Sequence, residues 1–213
     1  MLMRNKVIFG GIWLTFIIYA FSIAPPDRPE TLDLILNLST GQITEINPLI
    51  VALFNLMGIM PAIYTCLMLV DGQGQKITAG KFVLASFGIG AFALLPYFAL
   101  RQANPHWQGK KSKLLSITES PITAITLTIF TLGLIFFGVD TGNWIDFVQQ
   151  WQTNKFIHVM SLDFCLLCLL LPVLVKDDLT RRGIENIAIW NIIAFVPLLG
   201  TLCYLCLRPS LPN

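Results

Sequence analysis

Uncharged apolar runs of roughly 20 residues, the length that a transmembrane helix needs, recur six times along this chain. Charged residues make up only 12% of the sequence, about half the share usual in soluble domains. The connections between the runs are short and leave no room for a separate soluble domain. The sequence therefore predicts an all-α fold, a single polytopic membrane helix bundle over residues 1–213. Its expected transmembrane helices are residues 7–24, 48–70, 82–100, 121–139, 156–175 and 186–207.

The first run has features of a secretory signal, because Arg4 and Lys6 precede it and the small residue Ala24 ends it. Its apolar stretch is longer than a usual signal core, however, and Pro25 and Pro26 are unfavourable at the would-be cleavage site. We expect this run to be retained as the first transmembrane helix.

The orientation follows from the positive-inside rule, which places the Lys and Arg residues of short loops on the cytoplasmic side. With six crossings and a cytoplasmic N-terminus, six basic residues fall on the N-terminal side and eight on the other, against the rule. Residues 140–154 contain Asp140 and Asp146 and no basic residue, which suits the outer side. We therefore expect both termini outside.

The connection formed by residues 25–47 has a pattern of its own. Asp27 and Glu30 are spaced like a helix-capping pair, and apolar residues then recur at helical spacing. The pattern predicts a short helix in the membrane interface within residues 29–38, with an ordinary loop as the alternative.

A second connection, residues 101–120, holds the basic residues Lys110, Lys111 and Lys113. Such a cluster could bind anionic lipid headgroups or an acidic partner surface. The alternative is that it serves only as a topology signal.

Asp163 is an ionisable residue inside the fifth apolar run. A helix rises about 1.5 Å per residue, so Asp163 lies roughly 12 Å deeper than Lys155, too far for its short side chain to reach the membrane surface. A charge at such depth needs a partner. Two interpretations stay open: the carboxylate handles a proton or a cation, or it locks helices through a hydrogen bond.

Depth and helix geometry narrow the partners that are expected for Asp163. His158 lies about 140° around the same helix, so the two side chains do not share a face. Gly90 in the third run and Thr131 in the fourth lie at about the same depth as Asp163. Ser86 and Gly90 also form a small-xxx-small pattern that allows a close helix approach.

Asn55 and Asn191 are second-choice partners because they lie nearer the opposite face. They belong to a weak internal repeat, in which residues 54–61 match residues 190–197 in spacing and residue type. The repeat is compatible with a parallel duplication or with a chance match between apolar helices.

Prolines interrupt four of the predicted spans, at Pro61, Pro96, Pro172 and Pro197. Each frees a backbone carbonyl four residues earlier, for example that of Phe92 ahead of Pro96. These breaks either build a binding site at the membrane centre or kink the helices for packing.

The remaining motifs do not predict an enzyme. Cys165 with Cys168, and Cys203 with Cys206, have CxxC spacing, but both pairs lie inside predicted helices, where packing is their expected role. The sequence contains no catalytic serine elbow, zinc-protease motif or phosphate-binding glycine loop. We expect no enzymatic activity, no metal, no cofactor and no nucleic-acid partner.

The last third of the chain carries a family resemblance. His158, Ser161 and Asp163 precede the turn Arg181-Arg182-Gly183. This arrangement resembles uncharacterised small integral membrane proteins of cyanobacteria and plant plastids. The resemblance implies a bacterial inner or thylakoid membrane and makes His158, Ser161, Arg181 and Arg182 candidate functional residues beside Asp163. It suggests a role in assembling or stabilising a membrane complex, and it provides no activity that can be carried over to this chain.

The leading hypothesis is a non-enzymatic protein that acts through helix contacts with other membrane subunits or in a homodimer. A small proton- or cation-coupled transporter that uses Asp163 is the second hypothesis, and a membrane redox protein that uses the cysteines is the third.

Overall fold

The computed structural model describes residues 2–102, 112–184, 193 and 196–211. These residues form nine helices and no strand, which confirms the all-α prediction. By length and composition, α1, α3, α4, α6 and α8 are apolar enough to cross a membrane, which supports a multi-pass membrane protein. The helices are α1 Leu2–Ser22, α2 Thr31–Thr40, α3 Pro48–Asp71, α4 Ala79–Leu100, α5 Lys113–Thr118, α6 Pro121–Thr141, α7 Trp144–Thr153, α8 Lys155–Arg181 and α9 Pro197–Leu207.

The two ends of α3 define two faces of the bundle. At its start, the Asn47 side-chain amide donates to the Asn143 carbonyl at 2.7 Å, and we call this end the Asn143 face. At its other end, Asp71 accepts from Arg101 at 2.8 Å, and we call this end the Asp71 face. The 24 residues of α3 span about 36 Å, enough to cross the hydrocarbon core.

Three further helices run from one face to the other. In α1, the Phe9 ring lies 5.4 Å from that of Phe98, near the Asp71 face, and Tyr19 contacts His158 near the Asn143 face. The helix α6 runs from the Asp71 face, where Glu119 binds Arg182, to Asn143 itself. The helix α8 returns from the Asn143 face to Arg182.

The helix α4 does not cross, because it turns back at its centre. Ile89 (φ −133°, ψ 18°) and Gly90 (φ 51°, ψ −130°) leave the helical conformation. The rings of Phe82 and Tyr97 lie 5.5 Å apart, whereas one continuous helix would separate these residues by about 22 Å. Residues 79–88 and 91–100 are therefore two half-helices of a re-entrant hairpin, with both ends at the Asp71 face. The prediction that residues 82–100 form a third crossing is wrong.

Arg182, which follows α8, and Pro209, which follows α9, lie on one side of the bundle. The Arg182 guanidinium donates to the Pro209 carbonyl, which places both residues at the Asp71 face. The helix α9 begins at Pro197 and has 11 residues, about 16 Å or half of the hydrocarbon core. A sixth crossing over residues 186–207 is therefore wrong as well, although residues 186–192, 194 and 195 lie outside the described part.

This topology changes the charge count that was expected from six crossings. Among the described residues, ten basic side chains belong to the Asp71 face and two to the Asn143 face. The positive-inside rule favours the Asp71 face as the cytoplasmic one, against the expectation of outside termini. Lys110 and Lys111 lie outside the described part. The ten are Arg4, Lys6, Lys76, Lys81, Arg101, Lys113, Lys176, Arg181, Arg182 and Arg208, and the two are Arg28 and Lys155.

Short helices lie along the Asn143 face. The helix α2 forms in the segment where an interfacial helix was expected, but the Glu30 side chain makes no capping bond. Asp27 pairs instead with Lys155 at 2.9 Å and ties this connection to the start of α8. The helix α7 exposes Trp144 and Ile145, as an interfacial helix would.

A buried ion network closes the Asp71 face. Among the described residues, four arginines and four carboxylates take part. Asp71 accepts from Arg101, from Tyr97 at 2.5 Å and from Arg181 at 3.4 Å. Burial lowers the pKa of the Arg101 guanidinium, but its interactions with Asp71 and Asp177 together raise that pKa by more. The network also includes Asp177, Asp178, Glu119, Arg182 and Arg208.

Asp178 lies at the centre of this network. It accepts from Arg181 at 3.0 Å, Arg182 at 2.9 Å and Arg208 at 3.2 Å, and from the Tyr204 hydroxyl at 2.8 Å. Its contacts join α8 to α9 and to the residues that follow α9. Since opposite charges are equal in number, the network neutralises itself within the protein.

Replacing Asp178 by Asn should destabilise the fold by about 3–5 kcal/mol, because the variant leaves buried arginines without their counter-charge. Thermal unfolding of the purified protein in mild detergent would measure the change. Asp27→Asn is the matched control, since its ion pair with Lys155 is largely solvent-exposed and should contribute little. Equal melting temperatures for the two variants would contradict a stabilising role for the network.

The hairpin predicts that Lys76 and Gln102 lie on the same side of the membrane, whereas six crossings would put them on opposite sides. We expect cysteines placed at these two exposed positions to react with an impermeant thiol reagent from one side, and a cysteine at Ser39 from the other. The measurement needs sealed vesicles of both orientations and a background without the native cysteines. Labelling of Lys76→Cys and Gln102→Cys from opposite sides would contradict the hairpin.

Candidate functional site

Asp163 meets the turn of the α4 hairpin in the middle of the bundle. Its side chain is buried, and Oδ1 accepts the backbone N–H of Ala91 at 2.7 Å. Ala91 begins the second half-helix, where backbone N–H groups have no partner within the helix and the helix dipole is positive. The carboxylate therefore satisfies the first N–H group of the half-helix at a depth where lipid cannot.

Gly90 makes this contact possible. Its φ of +51° favours glycine, and a Cβ built on it would collide with the Asp163 carboxylate. The prediction that the third apolar run approaches Asp163 at Gly90 is thus confirmed. The prediction that Thr131 is a partner of Asp163 is wrong, because the buried Thr131 hydroxyl has no hydrogen-bond partner among the described residues.

A cavity of ≈560 Å³ leads from Asp163 toward the Asn143 face. Its floor consists of Asp163 and the hairpin turn, and its walls come from α1, α3 and α8. Asp27, Thr31 and Lys155 lie at the other end, the mouth. The hairpin reaches only halfway across the bundle, so the cavity occupies the space beyond its turn.

Asp163 carries the one unbalanced charge among the described lining residues. Asp27 and Lys155 form an ion pair with each other at the mouth. The Ser86 hydroxyl donates to the Val83 carbonyl at 2.6 Å and is already satisfied. Oδ2 of Asp163 has no hydrogen bond within the described part, so it remains an acceptor at the floor.

The cavity is also open toward the surrounding bilayer. Phe21, Phe87 and Ile89 line it and are among the exposed large apolar side chains. A membrane-soluble molecule can therefore reach the cavity sideways from lipid as well as from the Asn143 face.

Packed residues close the path from Asp163 to the Asp71 face. The Tyr64 hydroxyl donates to the Leu167 carbonyl at 2.5 Å, and Leu94 and Leu95 are fully buried. The carbonyl of Phe92, which Pro96 was expected to free, accepts from the Trp13 indole at 3.0 Å. This bond fastens the second half-helix to α1.

His158 lies apart from Asp163, as its position on the helix predicted. Its Nε2 contacts the Tyr19 hydroxyl at 2.8 Å, and its Nδ1 contacts the Trp151 carbonyl at 2.9 Å. The Trp151 ring stacks on the imidazole with centroids 4.4 Å apart. Both ring nitrogens are occupied, so His158 joins α1, α7 and α8 near the Asn143 face.

The other sequence candidates do not reach the cavity floor. The Ser161 hydroxyl bonds to the Ile157 carbonyl one turn back, and Arg181 and Arg182 belong to the ion network. Asn55 is exposed on α3 and donates to the Val51 carbonyl at 2.8 Å. Asn191 lies outside the described residues.

The five cysteines do not assemble into a centre. All are free, and Cys165 and Cys203 are exposed. Among the described residues, no group of three or more His, Cys, Asp or Glu side chains has a geometry that could hold a metal ion.

The sequence analysis missed the hairpin and the buried ion network. Gly88 and Gly90 at the centre of an apolar run could have indicated a turn. Asp71 and Arg101, each directly following an apolar run, become partners only if residues 79–100 return to the same face.

No protein-family model, curated protein or solved structure matches the chain. The resemblance to cyanobacterial and plastid membrane proteins therefore stays a prediction.

Gly90→Ala should destabilise the protein, by roughly 1–3 kcal/mol from the backbone conformation alone and by more from the collision with Asp163. Gly88→Ala, two residues away, is the matched control because its Cβ would enter open space. Thermal unfolding in detergent compares the two variants, and equal stability would argue against the Gly90–Asp163 contact.

Proposed function

We propose that this protein is a small membrane carrier that binds a proton or a cation at Asp163. The observation that carries the proposal is a carboxylate at the floor of a cavity, with one oxygen bound to a half-helix N-terminus and the other free to accept. Of the hypotheses formed from the sequence, this supports the transporter.

Electrostatics supports a positively charged occupant. The N-terminus of a helix offers roughly half an elementary charge, which offsets part of the charge on Asp163. The remainder is costly inside a membrane unless a proton or a cation neutralises it. The other described charges at the cavity, those of Asp27 and Lys155, already neutralise each other.

The geometry of the hairpin supports a carrier. Broken helices whose half-helix ends meet near the membrane centre recur at the binding sites of secondary transporters. Here the cavity is open toward the Asn143 face, and the packed hairpin closes the other side. Release toward the Asp71 face, which we propose to be cytoplasmic in a bacterial inner or thylakoid membrane, would require the hairpin to move.

Proton exchange in proteoliposomes tests the carrier. The vesicles contain a pH-sensitive dye, and inward gradients of Na⁺, K⁺ and tetraphenylphosphonium are imposed in turn. With wild-type protein, at least one of these cations should drive proton efflux. Asp163→Asn should abolish the signal, because Asn keeps an oxygen for the Ala91 N–H but carries no charge.

Asp33→Asn serves as the control, since Asp33 is an exposed acid on α2 that does not line the cavity. Its vesicles should behave like wild type. Two results would overturn the carrier: no proton movement with any of the three cations, or equal movement with Asp163→Asn.

The leading sequence hypothesis, helix contacts with other membrane subunits, is supported by Asn55. Asn55 is exposed on α3 about 10 Å from the helix start, where a polar side chain favours a neighbouring helix. Native electrophoresis in gentle detergent should then show a complex or homodimer that Asn55→Leu weakens. A monomer alone would count against this function.

A further inference from the structure

We propose that the ligand of the Asp163 cavity is an organic monocation with an apolar body. The inference rests on the proposed function and names its substrate class. An inorganic cation and a bare proton are the alternative occupants that this substrate class excludes.

The cavity walls fit an apolar molecule. Aromatic rings surround the space between Asp163 and the mouth, and burial of apolar ligand surface against them contributes about 25 cal/mol per Å². Ring faces also attract an organic cation when water is excluded. The rings are those of Phe21, Phe54, Phe87, Phe92 and Phe156.

An inorganic cation would find few side-chain ligands at the floor of this cavity. Hard cations take six or more oxygens, or keep several waters. Among the described side chains at the floor, Asp163 offers the one oxygen without a hydrogen bond, because the Ser86 hydroxyl is bound to Val83. An organic cation needs fewer polar contacts, since its apolar body favours the walls over water.

An anion is disfavoured by the charge at the floor. Asp163 repels it there, and the Lys155 ammonium at the mouth is bound to Asp27. The positive end of the half-helix is already occupied by Oδ1 of Asp163.

The mouth of the cavity holds a second polar atom that a ligand could satisfy. The Thr31 hydroxyl lines the cavity, is buried and has no hydrogen-bond partner among the described residues. Lys155 at the mouth and Asp163 at the floor are separated by about 12 Å along α8. The site therefore suits a molecule that fits within roughly this distance, with its positive charge close to Asp163.

Equilibrium dialysis of the full chain in neutral-lipid nanodiscs tests this class of ligand. The probes are tetraphenylphosphonium and tetraphenylborate, which share size and aromatic surface but differ in the sign of the charge. Binding above that of empty nanodiscs should be found for the phosphonium alone. Asp163→Asn should weaken it at least tenfold, and Asp33→Asn should not change it.

Gly58→Leu provides a second variant that leaves the carboxylate intact. Gly58 lines the cavity, and its Cβ position is open, so the new side chain fills ligand space without a collision in the protein. It should also weaken phosphonium binding at least tenfold. Unchanged melting temperatures would separate this effect from misfolding.

Three outcomes would overturn the organic cation. Equal binding of both probes, or unchanged binding in both variants, would indicate partition into lipid. Proton exchange with Na⁺ or K⁺ but no phosphonium binding would leave the carrier standing and refute its ligand class. Phosphonium binding without any proton exchange would instead support the ligand class and refute the carrier.

Discussion

A helix that ends inside a membrane must satisfy its free backbone groups with protein atoms, and this constraint accounts for Asp163. The second half of α4 begins in mid-bundle, and the Asp163 carboxylate accepts its first N–H group at 2.7 Å. The sequence left two interpretations open, a locking residue or a working one. The two oxygens differ, since Oδ1 accepts from the half-helix and Oδ2 makes no hydrogen bond among the described residues of a cavity that Asp163 lines.

The ion network holds the ends of the re-entrant segments at the Asp71 face. A re-entrant segment has both ends on one side of the membrane, and ion pairs can keep them there. Arg101 binds Asp71 after the α4 hairpin, and Arg208 binds Asp178 after α9. Because its described arginines and carboxylates are equal in number, the network carries no net charge, and each partner offsets part of the desolvation cost of the others.

Length and hydrophobicity predicted where helices form but not how many times the chain crosses. Residues 79–100 are as apolar and as long as a true span, and the non-helical conformation of Ile89 and Gly90 distinguishes the hairpin. The expected depth of Gly90 was nevertheless correct, because the middle of a span and the turn of a half-length hairpin lie at the same level. The pairing of Asp71 with Arg101 could not be predicted, since the assumed third crossing put the two residues on opposite sides.

The same hydrogen bond gives the proposed carrier a physical link between ligand and conformation. A cation at Oδ2 draws negative charge away from Oδ1, which weakens the bond from Oδ1 to the Ala91 N–H. The occupied site therefore holds the hairpin less firmly than the empty, ionised one. A proton at Oδ2 acts in the same direction, so either occupant favours release of the hairpin from α8. A carrier that exchanges two occupants needs each of them to release the hairpin. Its empty site must hold the hairpin in place, so that the barrier stays closed when nothing is bound.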